Sequence, residues 1–242
     1  MDKFAITRLR NGRQITYSYP DSSMMEKVCA SIFTETEYPF LSFLEAKVIV
    51  DVGANVGCTA ILFAANYPAA TIYALEPAGG AFAYLERNTA AYPNVKRFRI
   101  GAYDRDATTT LYLGQDASVT NSVTPNAFSG RQQEQITLRR MSEFLREQSI
   151  STVTLLKLDT EGVEVAILRD LAGMFDRIEA IMVEYHSETD RRVIEQLLAA
   201  KYTMYASSAL HPHRGTNTYV LNTVLRRRTP YDSLAIAPAS IA

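Results

Sequence analysis

The sequence of 242 residues contains only two cysteines, Cys29 and Cys58. That number excludes a disulfide framework and a cysteine-built zinc site. Neither sign of charge is in excess: 25 Lys+Arg stand against 26 Asp+Glu, a formal net charge of −1. A dedicated nucleic-acid binder would carry a basic excess or stripe, so no nucleic-acid partner is expected. No apolar run reaches the roughly 18 residues of a membrane span. Met1-Asp2-Lys3-Phe4 begins no basic stretch followed by an apolar one, so no secretory signal is read. The expected setting is a reducing, aqueous one, the cytoplasm. Internal repeats, low-complexity tracts and Pro/Gly/Ser-rich linkers are missing as well. What remains is one domain of ordinary composition, 47% hydrophobic and 21% charged, with a core that needs no covalent staples.

Residues 1–45 read as an N-terminal extension. Phe4–Leu9 and Arg13–Tyr19 are β-prone, and Asn11-Gly12 between them predicts a type I′ hairpin turn. Met24, Val28, Ile32 and Phe33 then recur at helical spacing. From Lys47 onward, apolar runs with strand character alternate with helical patterns. Strands are expected at 48–50, 71–75, 95–100, 152–158, 178–183, 202–206 and 218–225, and helices at 59–67, 81–91, 165–171 and 191–199. That alternation predicts an α/β fold, a doubly wound and mostly parallel sheet with an antiparallel pair at one edge. Residues 46–225 form the domain, and 226–242, opening on Arg226-Arg227-Arg228, read as a tail. Residues 104–150 break the rhythm with two short strands and a long polar loop, a length usually tied to function.

The first chemical motif is Val50-Asp51-Val52-Gly53-Ala54-Asn55-Val56-Gly57, a strand running through a glycine turn into a helix. Two glycines alone make only a tight turn. Here the following helix offers free N–H groups, and Glu76 ends the next strand, where a carboxylate accepts from both hydroxyls of a ribose. The third glycine of the dinucleotide fingerprint is missing, because Asn55 stands two places after Gly53. Asp51 would repel a pyrophosphate but suits a cationic amino-acid-like group. The pattern therefore favours S-adenosylmethionine over a nicotinamide cofactor.

The second motif is Leu156-Lys157-Leu158-Asp159-Thr160-Glu161-Gly162-Val163-Glu164, and a third strand end carries Glu184-Tyr185-His186. Helix-dipole acids explain Glu164 and part of Glu161, but not Asp159, whose buried charge needs a partner. His186 is the candidate general base, neutral above its ordinary pKa of about 6.5, oriented by Glu184 or Glu161. Asp, Glu and His at one rim could also ligate a metal, but the spacing is not diagnostic and no metal is assigned.

These motifs together resemble the FkbM family of S-adenosylmethionine-dependent methyltransferases, over roughly residues 47–225. The resemblance implies a seven-stranded class I methyltransferase fold and methylation of a hydroxyl oxygen on a natural product, sugar or glycolipid. It implies that Asp51, Gly53, Asn55 and Gly57 cradle the methionyl part of the cofactor and that Glu76 holds the ribose. It further puts Gly101 and Ala102 near the adenine and Asp159 near the methionyl end. Asn121 and Ser122, in the middle loop, and Glu184 would face the acceptor, with His186 and Glu161 as the catalytic pair. A nicotinamide-dependent oxidoreductase and a non-catalytic nucleoside-cofactor binder are the alternatives.

Overall fold

The computed structural model describes residues 2–114, 121 and 129–228. The chain opens on a hairpin of β1 (Asp2–Arg8) and β2 (Gln14–Pro20). Its turn differs from the expected two-residue form. Leu9 N–H donates to Arg13 O and Gly12 N–H to Leu9 O, both at 2.9 Å, and Gly12 has φ +81° while Asn11 stays out of the left-handed region. This is a three-residue loop closed by a left-handed glycine, the second commonest hairpin solution. Asn11 serves elsewhere: its amide donates to Asn66 at 3.0 Å, tying the hairpin to the main domain.

Helix α1 (Ser23–Phe33) starts where the Ser22 hydroxyl accepts the Met25 N–H at 3.2 Å. It buries Met25, Cys29, Ile32 and Phe33. The expected alternation follows as β3 (Val48–Val52), α2 (Cys58–Asn66), β4 (Thr71–Leu75), α3 (Gly79–Asn88) and β5 (Val95–Phe98). The interrupting region folds as β6 (Gly101–Tyr103), β7 (Ala107–Gly114) and β8 (Ser129–Arg140), a separate three-stranded sheet in the order β6-β8-β7. Helix α4 (Met141–Glu147) leads into β9 (Val153–Leu158), α5 (Glu164–Asp170), a 3₁₀ turn at Ala172–Arg177 and β10 (Ile178–Tyr185). Helix α6 (Glu188–Leu198), β11 (Tyr202–His211), β12 (Arg214–Leu221) and α7 (Asn222–Arg228) complete the chain.

Seven strands form the main sheet in the order β11-β12-β10-β9-β3-β4-β5. The pairs from β10 to β5 are parallel, and β12 runs antiparallel to both of its neighbours. Ile49, Ile72, Leu75, Leu155, Leu158 and Ile181 are buried in it, as strands covered on both faces require. From β3 the order runs one way through β4 and β5 and the other way through β9 and β10. The carboxyl ends of β3 and β9 therefore flank the crevice where such sheets bind ligands.

Two boundaries correct the sequence reading. The third main-sheet strand stops at Phe98, so Gly101 and Ala102 begin β6 in the smaller sheet rather than end that strand. A Cβ on Gly101 would come within 2.6 Å of Leu138 Cδ2, so the glycine lets β8 close on β6. The last strand ends at Leu221, and Arg226–Arg228 finish α7 instead of opening the tail. Among the described residues, no helix is long and apolar enough to cross a membrane.

Candidate functional site

The glycine turn sits at the carboxyl end of β3, between β4 and β9. Gly53 (φ +75°) and Gly57 (φ +92°) are left-handed, and so is Asn55 (φ 49°). Asparagine tolerates that region better than most side chains. A Cβ on Gly53 would fall 1.8 Å from the carbonyl oxygen of Asp159, so only glycine lets the two strand ends approach. Glu76 leaves β4 and points into the turn. Its Oε2 accepts the Asn55 N–H and its Oε1 the Ala78 N–H, each at 2.9 Å. Burial pushes the Glu76 carboxyl up to about 7 against the pull of those two N–H groups.

Beneath the turn lies Lys157, a residue the sequence reading passed over. It is 1% exposed, between Leu156 and Leu158 in the buried β9. Its ammonium donates to Gly53 O at 2.7 Å and Val52 O at 3.2 Å. It also lies 3.3 Å from Asp51 Oδ1 and 3.5 Å from Asp159 Oδ2. Burial disfavours its charge, but Asp51 and Asp159 outweigh that and hold the ammonium protonated. Asp51 is fully buried, its Oδ2 accepting from the Thr59 hydroxyl at 2.6 Å. Its carboxylate thus braces the turn from below, whereas Asp159 lies at the rim. Asp159 Oδ2 accepts from the Tyr38 hydroxyl at 3.0 Å. Burial works against its charge, yet Lys157 holds its carboxyl well below the usual range.

The ends of β9 and β10 bring the remaining acids and the imidazole together. Glu161 (φ +56°) and Gly162 (φ +108°) form a left-handed turn fixed by Glu164. Its carboxylate accepts from Thr160 N–H at 2.7 Å and Gly162 N–H at 3.1 Å. His186 Nδ1 faces Glu164 Oε1 at 3.3 Å, and Nε2 faces Glu161 Oε2 at 3.3 Å and Glu184 Oε1 at 3.8 Å. Neither nitrogen is aligned for a good hydrogen bond. Arg214, at the start of β12, donates to Glu184 Oε1 at 2.6 Å and Glu161 Oε1 at 2.7 Å.

This neighbourhood corrects one expectation. Burial opposes the imidazolium, but Glu161 and Glu164 outweigh it and push the His186 pKa up to about 11. The ring is therefore a cation near neutral pH, unable to take up a proton as a neutral base would. Glu184 moves the other way. Burial and the adjacent Asp159 charge raise its carboxyl well above the ordinary value.

The structure thus gathers Gly53, Asn55, Gly57, Glu76 and Asp159 around one crevice, with Glu161, Glu184 and His186 beyond Asp159. A cavity beside the turn, lined by Gly53, Asn55 and Asp159 but not by Gly57 or Glu76, has Met25, Val28, Cys29 and Ile32 of α1 in its walls, so the N-terminal extension covers that side of the glycine turn. Gly101 lies close to Pro77, the neighbour of Glu76. Asn121 Oδ1 accepts from Gly114 N–H at 2.8 Å, closing the end of β7; Ser122 lies outside the described residues. A carboxylate for a diol at one end and an ionised carboxylate for a cationic group at the other fit S-adenosylmethionine. Sequence reasoning missed Tyr38, Lys157 and Arg214. Only Lys157 left a signal, a cation flanked by leucines near the end of a buried strand.

Comparison with known proteins agrees with that chemistry. Residues 51–204 match the methyltransferase FkbM domain. Methyltransferase 1 of Beauveria bassiana is 29% identical over 208 residues, which cover 76% of this chain and 84% of that protein. The 31-O-demethyl-FK506 methyltransferase FkbM of Streptomyces tacrolimicus is 24% identical over 214 residues, 74% of this chain and 80% of that one. Among solved structures, the Methanococcus jannaschii fibrillarin pre-rRNA processing protein superposes with a TM-score of 0.52 at 12% identity. The match covers 90% of this chain and 82% of that one, and it speaks for the fold alone.

Proposed function

Because the chain belongs to the methyltransferase FkbM domain family, with S-adenosylmethionine as its cofactor, we propose that it methylates a hydroxyl oxygen of a small-molecule or glycan acceptor. Bound S-adenosylmethionine supplies an electrophilic methyl group on sulfur and departs as the neutral thioether S-adenosylhomocysteine. The observation that carries the reading is the pairing of Glu76 and Asp159 across the glycine turn, at the ends of strands on either side of β3. Glu76 exchanges its backbone donors for the ribose hydroxyls. Asp159, kept ionised by Lys157, faces the cationic methionyl end, while Gly53, Asn55 and Gly57 shape the floor above the buried Asp51. Gly101 and Ala102 lie toward the adenine.

Glu184 and the middle loop around Asn121 and Ser122 hold the acceptor. In-line displacement at a methyl carbon depends chiefly on placing the two reacting atoms. Glu161, at the rim between His186 and Arg214, receives the proton released from the hydroxyl. His186 is the cation that orients it. Oxygen as the acceptor atom is supported by the name of the Streptomyces relative, a methyltransferase acting on a 31-O-demethyl compound.

Incubation with methyl-¹³C S-adenosylmethionine and a panel of macrolides, glycosides and glycolipids tests this. The expected product carries the label in a methoxy group. Labelled N-methyl or C-methyl products, with no methoxy signal from any acceptor, would overturn the oxygen assignment.

A further inference from the structure

We propose that Asp159, Glu184 and His186 form a binding site for a divalent cation of the magnesium or manganese class. The three side chains each offer a ligand atom, and these atoms lie within 4.8 Å of one another. Ligands about 2.1 Å from an octahedral ion sit about 3–4 Å apart, so small rotations close the set. Asp159 ends β9, while Glu184 and His186 end β10, the parallel strand beside it. The cation would stand next to the crevice that holds the methyl donor.

The support around each ligand is what a metal site needs. A metal-bound histidine generally directs its second ring nitrogen at a carboxylate, which fixes the ring and its tautomer. His186 does this: Nδ1 faces Glu164 at 3.3 Å, and Glu164 is itself anchored by Thr160 and Gly162. Nε2 is left facing Glu161 and Glu184, buried and without an aligned hydrogen bond; the metal ion would take the place of the proton that this nitrogen carries in the metal-free chain. Asp159 is backed by Lys157 and Tyr38, and Glu184 by Arg214. Each carboxylate offers about four lone-pair directions, so these partners leave acceptor capacity for an ion. Glu184 is buried and Asp159 partly so; two adjacent carboxylates repel when both are ionised, and a cation between them removes that cost. The two carboxylates suit a hard cation of the magnesium or manganese class, manganese tolerating the single imidazole better, and the absence of a thiolate argues against softer metals.

Resting on the hydroxyl-methylation reading, the role follows. The ion takes the acceptor oxygen as a further ligand and makes its proton easier to lose. That proton passes to Glu161, an oxygen lone pair forms the bond to the methyl carbon, and the carbon–sulfur pair returns to sulfur.

The full chain, stripped with EDTA and desalted, is titrated with Mn²⁺ and followed by electron paramagnetic resonance. One saturable site per chain is expected, with ¹⁴N modulation from a coordinated imidazole in the pulsed spectrum. Glu184→Gln and His186→Gln should each weaken Mn²⁺ binding at least tenfold, and Glu164→Gln by about 10–100-fold. No saturable site, or a site without ¹⁴N modulation in the unaltered protein, would overturn the proposal even if no variant folds. Mn²⁺ bound as expected, with label appearing only in N-methyl or C-methyl products, would sink the oxygen-methylation reading alone. Methoxy product formed in EDTA by a chain that binds no Mn²⁺ would sink the metal site alone.

Discussion

Glu76 joins structure to a measurable pH dependence. Its carboxyl is raised from 4.5 to about 7 by burial, whereas two ribose hydroxyls would hold it ionised. S-adenosylhomocysteine should therefore bind about tenfold more weakly at about pH 6 than at about pH 8 by isothermal titration. A Glu76→Gln variant should lose that dependence and bind about 10–100-fold more weakly at the higher pH. A flat profile in the wild type would remove Glu76 from the ribose. Stability runs the opposite way. The folded chain holds this proton more tightly than the unfolded one, so the residue's contribution is complete below about pH 4.5 and is lost as pH rises through about 7. Ligand-free wild type should therefore lose ground to Glu76→Gln between about pH 5 and pH 8 in paired urea melts. Glu76 was legible because strand ends are legible, and the strand ahead of it is short, apolar and β-prone. The partners of Asp159 were not. Tyr38 lies 121 residues away in sequence, and only the packing of the N-terminal extension brings it there. His186 was placed at the correct rim with the wrong charge, because its protonation is set by Glu161 and Glu164 in a turn whose course periodicity does not reveal.

At the scale of elements, the alternation of apolar runs and helical patterns located the main-sheet strands to within a few residues. It failed where length or backbone conformation decides. Helices α4 and α7 have seven residues each; α4 follows directly on a strand in the stretch whose pattern predicts a loop, and α7 takes up residues 222–225, where the pattern predicts the end of a strand. The first hairpin chose a three-residue loop because Asn11 is engaged with Asn66. The glycines can be ranked by what surrounds them. Gly12 is left-handed with open space around it, whereas Gly53 is left-handed and pressed against the Asp159 carbonyl. Gly12→Ala should cost only about 1–2 kcal/mol of left-handed strain. Gly53→Ala adds a collision that only moving β9 relieves, and its cost should exceed about 3 kcal/mol. Denaturant melts of the two variants make the comparison; equal costs would mean the β3–β9 approach is not a constraint.

For the whole molecule, the place of residues 1–45 is set by packing that no local pattern reveals. The structure sets α1 against the glycine turn, with Cys29 Sγ 3.0 Å from Cys58 Sγ at the start of α2. Cofactor binding should then reach the extension. Hydrogen exchange in 23–33 should slow when S-adenosylhomocysteine binds, as it does wherever a ligand suppresses local opening. Protection confined to residues 51–80 would show that α1 is a bystander. The Lys157 knot has a historical consequence as well. The ammonium answers Asp51, Asp159 and two carbonyl oxygens at once; Lys157 and Asp51 are both fully buried, so replacing either one strands the other. Stranding a buried charge costs about 3–5 kcal/mol, a large share of what keeps a domain folded. A lineage drifting one codon at a time meets a wall at positions 51 and 157. An exposed pair such as Arg87 and Asp2 can be lost and regained freely; the buried Asp51–Lys157 pair can change only together.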